Sequence, residues 1–162
     1  MSSLLQSFTS QFSYFDEDLK KLGALELFKT NVSLLDQLEA RIGFAFPDLY
    51  RELVLNYQFD AVDLNGYSLL ANRNDEKVIG IENEIYKDMS LWPTLLDKGF
   101  IQFGKGEKFS DYDPVCFDTN NQSSVVKIDH EAILIYEKIR VVQKLANSFS
   151  ELVEETVHKA QI

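Results

Sequence analysis

A chain of 162 residues, 45% hydrophobic and 12% aromatic, has ample material for a packed core, and its length suits one domain, since domains most often hold about 100 to 150 residues. Its formal net charge of −10 repels phosphate backbones and anionic headgroups, so direct binding to nucleic acid or membrane is disfavoured; the charge steers toward a basic partner, although acidity that simply keeps a protein soluble is the commoner reading. The one cysteine, Cys116, excludes an intrachain disulfide. The first residues lack a basic stretch followed by an apolar one, so no signal peptide is expected. No apolar run approaches the ~20 residues of a membrane span, and the expected location is the cytoplasm.

Leu4, Leu5, Phe8, Phe12 and Phe15 recur at helical spacing, which predicts an amphipathic helix over 4–15. A further helix, broken at Gly23, is expected over 16–28. Ser33 then precedes Leu34, Leu35, Leu38 and Ile42, with Asp36 in the first turn and Gly43 just past the last apolar position. A capping hydroxyl at the start and a left-handed glycine at the end predict a helix over 33–42. Pro47 reads as the first residue of the next helix, followed by Asp48 near its positive end and by Leu49, Tyr50, Leu53, Val54 and Tyr57 on one face. The short link 43–46 makes the two a tight pair on the core.

From Phe59 the period changes to that of strands. The runs 59–64 and 67–70 flank Asn65-Gly66, the pair suited to a two-residue hairpin turn, and 72–77 is a charged loop. Ile85, Met89 and Trp92 predict a helix interrupted at Pro93, with a further turn closed by Gly99. Three apolar runs follow, Phe100 to Phe103, Val115 to Phe117 and Val125 to Ile128, separated by polar breaks; they predict an antiparallel meander. Over 132–146 the signals conflict, with strand favoured for part of the stretch by Ile139, Val141 and Val142. Ser148 and Glu151 form a capping box ahead of Phe149, Leu152, Val153, Thr156 and Val157, and so predict a last helix.

Catalytic chemistry is hard to assemble from this sequence. The run Asp111-Tyr112-Asp113-Pro114-Val115-Cys116-Phe117-Asp118 alternates carboxylates, but the fifth, sixth and twelfth positions of a calcium loop would fall on Val115, Cys116 and Gln122. These aspartates read as turn-capping groups at the start of a strand. Asp129-His130-Glu131 resembles an acid–base cluster, yet neighbours on an extended chain point to opposite faces, and a polar turn ending a strand is the expected role. A metal site built on both histidines would need His158, far along the chain, to meet His130 through the fold. Cys116, between Val115 and Phe117, reads as a small core side chain. Gly104-Lys105-Gly106 lacks the Gly-Lys-Ser/Thr ending of a phosphate loop. No catalytic residue, metal or cofactor is expected.

The order of features resembles a known family. Leu38-Glu39-Ala40-Arg41-Ile42-Gly43-Phe44-Ala45-Phe46-Pro47-Asp48-Leu49-Tyr50 is similar to its pattern of a glutamate, a Leu/Ile-Gly pair and a Leu-Pro opening a helix. Asp113 to Thr119, Val125 to Glu131 and Asn147 to Leu152 follow in matching order. Phe46 stands in place of the leucine, and Tyr57-Gln58-Phe59-Asp60 in place of an Asn-Gly-Gly. Together these resemble the SUKH superfamily, which includes Smi/Knr-type regulators of yeast cell-wall synthesis and many bacterial immunity proteins.

The resemblance implies a single α+β domain of mostly antiparallel sheet flanked by helices, with 1–30 as a helical extension and 33–155 as the family-like core. It implies a non-catalytic protein that binds and neutralises a protein toxin, a nuclease or another basic domain, with a regulatory scaffold of the Smi/Knr type as the alternative. A third reading, a metal-dependent hydrolase on Asp113, Asp118 and His130, comes from another class. The candidate partner-binding residues are Asp111, Tyr112, Asp113, Asp118, Asp129, His130 and Glu131.

Overall fold

The structure, a computed structural model, describes residues 3–12, 25–64, 66–107 and 111–160. In chain order its elements are α1 (Ser3–Phe12), β1 (Glu26–Leu27), α2 (Val32–Ile42), α3 (Asp48–Asn56), β2 (Tyr57–Gln58), β3 (Val62–Leu64), β4 (Tyr67–Leu69), α4 (Gly80–Ile85), α5 (Trp92–Asp97), β5 (Phe100–Lys105), β6 (Pro114–Asp118), β7 (Ser124–Ile128), α6 (His130–Tyr136), β8 (Val141–Ala146) and α7 (Phe149–Ala160). Strands β3 to β8 form a six-stranded antiparallel sheet in sequence order, and β1 pairs with β2 in a separate ribbon. The fold is α+β, as expected.

The meander exists because its strands alternate. Ile101, Phe103, Val115, Phe117 and Val125 point to one face, where they join Leu5, Phe8, Leu35, Leu38, Tyr50, Leu53, Phe149 and Val153 from the helices in the main core. Phe100, Cys116 and Val126, one position out of step, meet Leu91, Leu95 and Ile133 on the other face in a smaller cluster. At the centre, Phe103 and Phe117 stack with ring centroids 4.1 Å apart. Tyr50 closes over them at 5.5 and 5.3 Å, with Phe149 at 5.3 Å from Tyr50. Cys116 is fully buried, and burial pushes its thiol up, out of reach of ionisation at neutral pH.

The helix pair forms as predicted, with shifted ends. Asn31, not Ser33, caps α2, its Oδ1 accepting from the Ser33 N–H at 2.9 Å, so Asp36 lies beyond the first turn. Gly43 ends α2 at φ 81°, a conformation costly to a residue with a Cβ. Pro47 is the cap position and α3 opens at Asp48. The link is held by Glu39, which accepts from the Phe46 N–H at 2.6 Å and forms an ion pair with Arg51 of α3. One carboxylate on α2 thus fixes both the linking chain and the next helix.

Elsewhere the structure corrects the expectations. The predicted helix over 16–28 lies largely outside the described residues, and Glu26–Leu27 is a strand paired with Gln58 and Tyr57. Phe15, the last residue of the first predicted helix, is also outside them. In the hairpin, Leu64 faces Tyr67 across the two-residue loop, with Gly66 at φ 105° and Asn65 outside the described residues. Its first strand begins at Val62, because Phe59 instead bridges to Asn72. The helix expected around Met89 is two short helices. Met89 lies exposed between them, and Pro93 opens α5 rather than interrupting a longer run. The conflicting stretch 132–146 divides into a helical end of α6 and the strand β8. In α7 the capping hydroxyl is confirmed, Glu151 N–H donating to Ser148 Oγ at 3.0 Å.

Candidate functional site

The hairpin of β6 and β7 brings the sequence candidates together. Val115 faces Lys127 in its register, and the same alignment carried two residues further sets Asp113 opposite Asp129, with Asp111 beyond. Lys127 Nζ reaches Asp111 Oδ2 at 2.5 Å, and the Asp113 N–H donates to Asp111 Oδ1 at 3.1 Å. Burial works against the charged form of Asp111, but the Lys127 ammonium and the Asp113 N–H outweigh it and hold the carboxyl below the usual range.

Asp113 is the anchor of the cluster. Its Oδ1 accepts from the His130 backbone N–H at 3.0 Å and lies 2.6 Å from His130 Nδ1. Asp129 caps α6 by accepting from the Glu131 N–H at 3.0 Å, and its Oδ2 accepts from Arg140 at 3.2 Å. The expectation of an extended chain at 129–131 is therefore corrected: the strand gives way directly to a helix, because Asp129 satisfies its first free N–H groups. Tyr112, 56% exposed, sets its ring edge against His130 at 5.8 Å. Glu131 is exposed on the first turn of α6. Asp118 is the candidate left out. It sits at the far end of β6, about 16 Å from Asp113 by strand rise, where it accepts from the Asn120 N–H.

Beside this cluster the second face of the sheet is only partly covered, which leaves a groove of about 1020 Å³. Its walls include Met89, Tyr112, His130 and Leu134, and Gln102 and Lys105 of β5 also line it. A smaller cleft of about 380 Å³ is lined by residues of α2 and α4, among them Arg41 and Glu82, which form an ion pair.

For metal binding, Asp113, Asp129 and His130 place one ligand atom each within 4.8 Å of one another. All three are engaged, Asp113 with His130 and Asp129 with Glu131 and Arg140, so a cation would have to displace these bonds. A hydrolase on Asp113, Asp118 and His130 is not assembled, since Asp118 is at the other end of the strand. The residues that sequence reasoning missed as site residues are Lys127, Arg140 and, in the groove, Met89, Gln102, Lys105 and Leu134. Lys127 could have been found by counting back from the hairpin turn at 119–123.

The pairing of Asp111 with Lys127 makes a pH prediction. A carboxyl whose folded pKa is lowered contributes stability above its unfolded pKa and loses it as pH falls through the folded value. Wild-type protein should therefore exceed Asp111→Asn in stability at pH 7, and the gap should close below roughly pH 4. Urea unfolding of both proteins at pH 7 and pH 3 checks this, and an unchanged gap at pH 3 would refute it.

An antiparallel meander with a clasped helix pair on one face, and a glutamate-held link ahead of a proline, defines a class of small α+β domains. The family model for the SMI1 / KNR4 family (SUKH-1) matches residues 30–155. The chain belongs to this family. No curated protein matches it in sequence.

Proposed function

We propose that this chain acts without catalysis, as an immunity-type protein that binds a basic toxin polypeptide and blocks it. The observation that carries the reading is the net charge of −10 on a member of this family. A toxin domain built to grip phosphate is basic, and an acidic surface meets it with fast, steered association. The proposed contact is the rim formed by Asp111, Tyr112, Asp113, Asp129, His130 and Glu131 together with the adjoining groove.

Within that rim the roles differ. Asp111, Asp113 and Asp129 are held by Lys127, His130 and Arg140, so they shape the surface more than they pair with a partner. Glu131 and the Tyr112 ring remain to make direct contacts, Glu131 as a rim charge and Tyr112 as an aromatic anchor.

Affinity capture with the purified protein, from lysates of its own strain and of close relatives, is the test. A basic polypeptide should be recovered, and its association rate should fall as salt rises. Against that captured polypeptide, Tyr112→Ala should weaken binding at least tenfold, and Glu131→Gln should slow association more than it speeds release. Recovery of cellular housekeeping proteins alone would replace this reading with a regulatory scaffold. A recovered partner whose binding ignores salt would overturn the electrostatic argument.

A further inference from the structure

The three carboxylates of the rim are tied with unequal grip. Lys127 and His130, the partners of Asp111 and Asp113, keep most of their side chains out of solvent, at 17 and 24% exposure. Arg140, the partner of Asp129, is 73% exposed, whereas the Asp129 side chain is 19% exposed. A well-seated carboxylate is thus paired with a guanidinium that lies mostly in water.

The two ends of this pair are fixed by other bonds. Asp129 Oδ1 accepts from the Glu131 N–H at 3.0 Å and so caps α6, which leaves Oδ2 to the guanidinium at 3.2 Å. Arg140 is anchored through its backbone, its carbonyl accepting from the Asp129 N–H at 2.8 Å. Opening the ion pair therefore costs neither the cap nor the backbone bond, and an ion pair this exposed contributes little of its own. Asp113 has a carboxylate oxygen within 4.8 Å of one on Asp129 and adds to the same negative field. The guanidinium found there, the chain's own, shows which class of group this field holds.

We infer that Arg140 is an intramolecular stand-in, which occupies Asp129 in the free protein and yields it to an arginine or lysine side chain of the basic partner. The inference rests on the toxin reading and gives its rim an internal competitor. A partner cation reaches Oδ2 only in the fraction of molecules whose Arg140 has swung away, so the apparent affinity is reduced by that fraction.

The test is an NMR titration of the full chain with hexa-arginine amide at low salt, read at the Glu131 amide, whose N–H sits on Asp129. Arg140→Gln should bind this peptide about threefold more tightly than wild type. Lys138→Gln, which removes the same charge from an exposed side chain two residues away, should bind as wild type does. Asp129→Asn keeps a capping oxygen for α6, and in that background Arg140→Gln should bring no gain. The inference is overturned by an Arg140→Gln affinity no higher than wild type, by a gain that Lys138→Gln matches, or by a gain that persists with Asp129→Asn. A Glu131 amide that the peptide never shifts overturns it as well. None of these results touches the affinity capture, which can still recover a basic polypeptide. If the capture fails while the titration behaves as expected, the rim still takes cations and the toxin reading alone falls.

Discussion

Asn72→Ala should lower the unfolding free energy by about 3 to 5 kcal/mol, read as a fall in urea midpoint at unchanged slope. Asn72 is fully buried, and its side chain makes three bonds to three segments. Nδ2 donates to the carbonyls of Val54 at 3.0 Å and Tyr57 at 2.9 Å, and Oδ1 accepts from the Ile81 N–H at 3.0 Å. The last bond replaces a cap that α4 lacks, because Ile79 at its cap position has no side-chain acceptor. The Gly80 N–H is taken by Asn74 Oδ1 at 2.7 Å in the same way. Truncation removes the side-chain partner of the Ile81 N–H and of the Tyr57 carbonyl and leaves the Val54 carbonyl only the longer bond from Asn74 Nδ2 at 3.4 Å, each lost bond costing about 1 to 3 kcal/mol without full additivity. A domain of this size holds only about 5 to 15 kcal/mol in all, so the variant should sit near the edge of folding. A loss below about 1 kcal/mol would show that water replaces the amide.

Phe117→Ala should cost a similar amount, about 3 to 5 kcal/mol, by a different mechanism. Its ring is fully buried on the central strand β6, stacked on Phe103 and packed edge-on against Tyr50 and Phe149. Neighbours drawn from strands and two helices cannot all collapse into the space left. Tyr50→Phe is the control in the same cluster. The Tyr50 hydroxyl is buried with no hydrogen-bond partner among the described residues, and burial, aided by the charge of Glu84, pushes its phenol far up. Its removal should leave stability unchanged or raise it by about 1 kcal/mol. Thermal unfolding of the two variants beside wild type separates lost volume from lost polarity.

These two sites differ in how far the sequence exposes them. Phe117 sits in an alternating run, and alternation alone puts it on a buried face. Asn72 reads as one polar residue of a charged loop, and its partners at 54, 57 and 81 meet only once α3, β2 and α4 are folded. The same distinction runs through the molecule. Strands β5 to β7 and helix α7 were legible because period and caps agree. The end of α6 was not, because a helix that buries Ile133 while exposing Leu134, Ile135 and Tyr136 shows no apolar face to count.

The candidate site was legible as a list and not as a geometry. Sequence named Asp113 and His130 but not that one would hold the other, since 17 residues separate them and only strand register joins them. Asp118 was grouped with them by proximity in the chain, yet a strand carries its two ends apart. The family pattern around Glu39 has a physical basis, because the glutamate accepts from the Phe46 N–H and pairs with Arg51. The spacing from that glutamate to the proline is the length of chain the carboxylate can span.

Helix α1 packs against α7, and its Leu5 and Phe8 are fully buried in the main core. During synthesis on a ribosome α1 emerges before the sheet and its partner α7 after it. Leu5 and Phe8 therefore travel uncovered until α7 leaves the exit tunnel, and closing the two helices joins segments separated by nearly the full chain. Such long-range closure slows folding and leaves apolar surface open to nascent-chain chaperones in the interval. A helix made ahead of the sheet thus waits for its burial on one made behind it.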